Sequence, residues 1–271
     1  MRLGVSSYTY VWGVGVPGYE QPPQPLTAAA LLAKAVGLGV RALQIADNLP
    51  LDRLADADRL ALRQRADEHG IELEVGTAGI AADRLAEYLA IARQLRSGIL
   101  RTVIDTPGDH PEPAEVVERL RPLLPAFAAA GVTLAIENHD RYRAETLRRI
   151  VVELNSPAVG ICLDTANSLG CLEGPEHVVE TLGRHVVNLH LKDVHAFRPP
   201  HLKGFVVEGR PAGQGQVDFP WLLHRLRQLG SYPNAILELW PAPLALLSAN
   251  LAQEDAWAEA SVCYLRRFIP D

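Results

Sequence analysis

Apolar positions along this chain switch repeatedly between two periods. Short runs with alternate or continuous apolar residues predict strands, and longer runs with apolar residues three and four apart predict helices. The first strand is Leu3–Ser6, followed by a Gly/Pro/aromatic loop through Pro25. Thr27 caps a helix that Gly37 and Gly39 end. Next come a strand at Ala42–Ala46, a helix from about Leu54 to Glu68 stopped by Gly70, and a strand at Ile71–Gly76. A helix at Ala81–Leu95, a strand at Gly98–Asp105 and a helix at Pro113–Ala129 continue the series. The strand VTLAIE, a helix at Ala144–Leu154, the strand VGICLD, a helix at Pro175–Leu182 and the strand VVNLHLK follow. A helix at Phe219–Leu229, the strand NAILEL and a helix at Asn250–Phe268 close it.

Eight strands and eight helices in strict alternation imply parallel pairing with right-handed crossovers. Over 271 residues that is the size of a single (β/α)8 TIM barrel, usually about 250 residues. A doubly wound open sheet is the alternative, but the first strand-to-helix turn carries no GxGxxG or P-loop. No linker composition divides the chain, so residues 1–271 read as one domain.

Four of the later strands end in a polar residue of opposite parity to their apolar neighbours. Leu134 and Ile136 oppose Glu137, Ile161 and Leu163 oppose Asp164, Leu189 and Leu191 oppose His190, and Leu237 and Leu239 oppose Glu238. Side chains alternate across a strand. In a barrel these four therefore face one side of the mouth, where carboxyl ends of strands build active sites. Three carboxylates and an imidazole are not stable together in a small space without compensation. A divalent cation supplies it, and an O3N donor set suits Mn2+, Mg2+, Co2+ or Zn2+. Taken singly, each residue is also what a plain polar strand terminus would show.

The formal charge of −6 argues against nucleic acid or a lipid surface as a main partner. Three cysteines, Cys162, Cys171 and Cys263, form no CxxC pair and no even disulfide framework, which favours a reduced, cytoplasmic setting. No leader or membrane-spanning run is evident at the level of sequence. A homo-oligomer is left open.

Further residues surround the proposed cation. Lys192 shares the face of His190 and suits steadying an enediolate oxygen or a carboxylate, with desolvation beside a metal expected to lower its pKa, or else snorkelling to solvent. His139, two after Glu137, reads as a proton shuttle, a supporting partner or a loop residue. Gln44 and Glu74 have inward parity on early strands and are candidate substrate contacts, as are Tyr8, Tyr10, Trp12 and Trp240 for a sugar ring or chain. The segment 194–217 is too long for an ordinary connection and carries His195, Arg198, His201, Lys203 and Arg210. Its cations suggest recognition of a carboxylate or phosphate, unless it is simply a solvated loop.

The stretches LGVSSYTY, IENHD, GICLDTANS, HLKD, GQGQVDFPWLL and LELW together make the chain resemble the sugar phosphate isomerase/epimerase group of the xylose isomerase-like TIM barrels. That group includes ketose 3-epimerases and inosose isomerases or dehydratases, with endonuclease IV more distant. The resemblance implies a divalent metal held by Glu137, Asp164, His190 and Glu238, with Glu137 and Glu238 also exchanging the substrate proton. Asn167 stands where many sugar epimerases have a His, and is carried as a substrate contact. The extra His ligands of a trinuclear endonuclease site have no counterpart. The expected activity is metal-dependent isomerisation or epimerisation of a sugar or sugar-derived hydroxyketone through a metal-stabilised enediolate. A decarboxylase of a sugar-derived 3-oxo acid or a dehydratase, both lyases of carbohydrate metabolism, is the alternative. A non-catalytic sugar-binding barrel is the third. The expected partner is a small carbohydrate or sugar acid.

Overall fold

The computed structural model describes residues 1–201 and 203–270. Ten strands are present among them: β1 Leu3–Ser6, β2 Ala42–Ile45, β3 Glu72–Ala78, β4 Ile99–Val103, β5 Thr133–Glu137, β6 Val159–Asp164, β7 Val186–Leu191, β8 Asp193–Phe197, β9 Val206–Arg210 and β10 Asn234–Leu237. Eight of them close a parallel barrel in the order β1-β10-β7-β6-β5-β4-β3-β2. The expected TIM barrel is therefore the observed fold. The remaining two, β8 and β9, pair antiparallel as a separate hairpin within the segment expected to be a long loop. Its two arms, DVHAF and VVEGR, flank a Pro/Gly-containing turn region, which is ordinary hairpin punctuation.

Local chemistry sets the helix ends. The helix α2 (Ala28–Leu38) starts where Thr27 accepts a hydrogen bond from the Ala30 N–H at 3.2 Å, and ends on Gly39 at φ +67°. The single helix expected over 113–129 is instead two, α5 (Pro113–Leu120) and α6 (Leu124–Ala130). Pro122 and Pro125 lack the N–H groups that a continuous helix needs there, so the chain turns between them. The expected loop after β1 also holds a short helix, α1 (Val11–Val14), pinned by Glu254 of the last helix α10 (Leu247–Leu265): its carboxylate accepts the N–H groups of Trp12 and Gly13.

Outward-facing strand residues, including Leu134, Ile136, Ile161, Leu163, Leu189 and Leu191, are fully buried in one continuous apolar cluster with the surrounding helices. The lumen is different: Gln44, Glu74, Arg101 and Asn188 are buried inside it and bonded to one another or to strand-end carboxylates. Leu134→Ala is expected to cost about 2–5 kcal/mol in urea unfolding, the range for a buried Leu truncation. Among the described residues no helix is long and apolar enough to cross a membrane.

Candidate metal and catalytic site

The barrel register sets the four strand-end residues around one point. Asp164 and His190 are direct neighbours across β6 and β7, Glu137 ends β5 beside Cys162, and Glu238 extends β10 by donating its N–H to Leu191 O. All four are at most 2% exposed. His190 Nδ1 lies 3.3 Å from Glu137 Oε2, 3.8 Å from Asp164 Oδ2 and 3.5 Å from Glu238 Oε1. One donor atom each from Asp164, His190 and Glu238 falls within 4.8 Å of the others, and the same holds for Glu137, Cys162 and His190.

Each carboxylate is held. Asp164 Oδ1 accepts the N–H groups of Ala166 and Asn167 at 2.8 Å, while its backbone N–H donates to Asn138 Oδ1. Glu137 Oε1 accepts from Asn167 Nδ2 at 2.7 Å, and Glu137 Oε2 from Arg101 Nε. Glu238 Oε1 accepts from Ser6 Oγ at 2.9 Å, and Lys192 Nζ stands 2.9 Å from both Glu238 Oε2 and Asp164 Oδ2. Burial alone would push the Glu238 carboxyl up, but His190, Lys192 and Arg101 outweigh it and hold it down to about 2. Burial likewise opposes the Lys192 ammonium, and Asp164, Glu238 and Glu137 overcome that, so Lys192 stays protonated well above the usual lysine range.

The arrangement fits a divalent cation. Asp164 Oδ2, His190 Nδ1 and Glu238 Oε2 are buried with no aligned hydrogen-bond partner, though the two oxygens share the Lys192 ion pair. His190 Nδ1 is thus left without a hydrogen-bond partner beside two carboxylate oxygens whose one close neighbour is Lys192, a donor set that could hold a cation. Among the described residues, four carboxylates (Asp47, Glu137, Asp164 and Glu238) meet only two fixed cations, Arg101 and Lys192. One dication closes that deficit.

A cavity of about 490 Å³ opens above the cluster at the carboxyl ends of the strands. Of the residues singled out in the sequence, Lys192, His139, Asn167, Tyr8 and Trp240 line it beside Glu137 and Glu238. Lys192 Nζ lies 5.2 Å from the centre of the Trp240 ring. Trp240 is steadied in turn by the hairpin, because Gly209 lies so close that a Cβ there would come within 2.2 Å of Trp240 O.

Other expected contacts are elsewhere. Trp12 is 4% exposed and packs edge-on against Tyr19, outside the cavity lining. Glu74 is buried below His190, hydrogen-bonded by Gln44, Asn188 and Asn234, and is not part of the cavity lining. Arg198 lies over Phe205, Arg210 pairs with Glu208, and Lys203 is exposed; none of the three lines the cavity, to which the hairpin contributes Val207.

The cation next to the site that sequence reasoning missed is Arg101. It is 4% exposed on β4, and its Nη1 donates to Asp47 Oδ1 at 2.7 Å and Thr77 O at 3.2 Å. Its signal was a lone Arg at inward parity in the run ILRTV. Asp193, the last residue of HLKD, was also passed over. Its buried carboxylate accepts the N–H groups of Gly213, Gly215 and Val217 and so folds the GQGQV stretch.

A family profile described as xylose isomerase-like TIM barrel matches residues 32–268. The chain belongs to the xylose isomerase-like TIM barrel family. It is 34% identical over 265 residues to the 3-oxo-isoapionate decarboxylase of Pectobacterium atrosepticum, covering 98% of this chain and 95% of that protein. Among solved structures, D-psicose 3-epimerase in the presence of D-fructose superposes with a TM-score of 0.75 at 15% identity, covering all of both chains. A xylose isomerase-like TIM barrel protein from Mycobacterium smegmatis in complex with magnesium gives 0.67 at 16% identity over 97% of each chain. At such identities the structural likeness is one of fold.

Proposed function

We propose that this protein is a divalent-metal-dependent decarboxylase of a sugar-derived 3-oxo acid. The observation that carries this reading is the engagement of both glutamates. Every carboxylate oxygen of Glu137 and Glu238 already faces Arg101, Asn167, Ser6 or Lys192. Epimerisation asks a carboxylate to take a proton from carbon, and Glu238, held well below the usual carboxylate range by His190, Lys192 and Arg101, is a weak base for that step. Loss of CO2 asks for no base. The bond from the carboxylate carbon to C2 breaks, its electron pair passes to the 3-oxo oxygen, and C2 takes a proton from solvent.

Glu137, Asp164, His190 and Glu238 would hold the cation, which when bound supplies a Lewis acid for the charge that builds on the 3-oxo oxygen. Lys192, fixed in its protonated form, acts as charge rather than base and adds to that stabilisation. Arg101 Nη2 has no partner among the described residues, and with Lys192 gives the cavity a cationic side for the substrate carboxylate. Tyr8 and Trp240 wall the chain of the substrate and keep water from the reacting carbons. The relation to a 3-oxo-isoapionate decarboxylase over nearly the full length supports the same class.

Incubation of the Mn2+-loaded protein with a panel of 3-oxo sugar acids and free ketoses tests the reading. Stoichiometric CO2 and one solvent deuteron at the product carbon are expected. Mass-neutral interconversion of ketoses without CO2 would replace the lyase with an epimerase.

A further inference from the structure

Beneath the site lies a polar network that the proposed chemistry does not use. Glu74 on β3 is 1% exposed and has no cationic partner among the described residues. Its Oε2 instead accepts from Gln44 Nε2 at 3.0 Å and Asn188 Nδ2 at 2.8 Å, and its Oε1 from Asn234 Nδ2 at 3.0 Å. We propose that Glu74, acting through Gln44, is a positioning residue that fixes which nitrogen of His190 faces the metal.

The reasoning follows from donor and acceptor roles. Gln44, Asn188 and Asn234 each turn their NH2 towards Glu74, whose carboxyl oxygens accept from all three. Once the Gln44 NH2 points down to Glu74, the Gln44 carbonyl points up, and Oε1 meets His190 Nε2 at 2.8 Å. A carbonyl oxygen also only accepts, so the ring proton sits on Nε2. The lone pair is then on Nδ1, the atom that faces Glu137, Asp164 and Glu238 and has no other partner. Asn188 is locked in the same sense: with its NH2 on Glu74, its Oδ1 accepts from Gln44 Nε2 at 3.0 Å and from Cys162 Sγ at 3.3 Å. No amide in the network can flip without setting two acceptors or two donors against each other.

The role rests on the metal-dependent reading above, and a pair of measurements separates the two. The first is nitrogen-15 NMR of the imidazole in Zn2+-loaded native protein: the proton is expected on Nε2 and the metal on Nδ1. The second is direct titration of Zn2+ and Mn2+ into the native protein, Glu74→Gln and Gln44→Met. Each variant is expected to bind about 10–100-fold more weakly, the usual loss for an outer partner of a metal-binding His. A network with only a structural role would lower the melting temperature of the metal-free protein and leave affinity unchanged. Native protein that binds Zn2+ with the ring proton on Nδ1, or folded variants that bind within twofold of it, would overturn the role and spare the metal site. Native protein that binds neither ion would remove both. Should neither variant fold, the position of the ring proton in the native protein decides.

Discussion

Asp164→Asn is expected to lower Mn2+ affinity by more than about 100-fold, the upper end of what loss of a merely supporting partner costs, and to abolish CO2 release. The substitution is informative because the two carboxylate oxygens have separate tasks. Oδ1 accepts the N–H groups of Ala166 and Asn167 and shapes the turn after β6. An Asn carbonyl can keep those bonds, so the turn survives. Oδ2 faces His190 Nδ1 and Lys192 Nζ, and there the change replaces an anion by an NH2 that opposes both the cation and the ammonium. Circular dichroism should therefore match the native protein while titration calorimetry loses the binding signal. Native affinity in the variant would show that the dication is not held here.

The second large effect concerns Arg101. Arg101→Met is expected to reduce kcat/KM by about 10²–10³-fold, the range for removing a preorganised donor from a reacting centre. It should also cost about 3–5 kcal/mol of stability, since Glu137 is left buried beside Asp47 without its counter-charge. Metal affinity should move the other way or hold, because Glu137 Oε2 is released from the guanidinium. Arg101→Lys keeps the charge and loses the fork that reaches Glu137, Asp47 and Thr77 together, so it should restore stability more than activity. If Arg101→Met lost metal binding and activity in parallel, Arg101 would belong to the cation's support rather than to substrate recognition.

Most of the architecture is legible in the chain because each unit encodes it locally. A period of two gives way to one near 3.6, Gly or Pro marks the change, and repeating this eight times leaves the barrel as the compact way to bury apolar strands on their outer face. Parity then assigns Glu137, Asp164, His190 and Glu238 to the lumen, since alternation leaves them no other side. Two expectations failed for local reasons that a closer reading would have met. The run RPLLP interrupts a helix at Pro122 and Pro125, and the arms of the segment 194–217 have strand character on either side of a turn.

Other features have no one-dimensional trace. The cations of the segment 194–217 were expected above the metal, yet the hairpin turns Arg198 and Arg210 to Phe205 and Glu208 and offers Val207 to the cavity. Hairpin direction depends on packing against Trp240, which is remote in sequence. Glu74 shares inward parity with the four strand-end residues but sits lower in the lumen, beside Gln44 and Asn188 and outside the cavity lining. Parity reports which face a side chain takes; depth along the barrel axis comes from strand stagger, a property of the closed sheet. Sequence alone thus determined the barrel and the inward face of the four strand-end residues, through short-range periodicity. Tertiary structure alone decided which charges meet: Arg101 on Glu137, Lys192 between Asp164 and Glu238, and Gln44 under His190. Those pairings join residues that only barrel closure brings together.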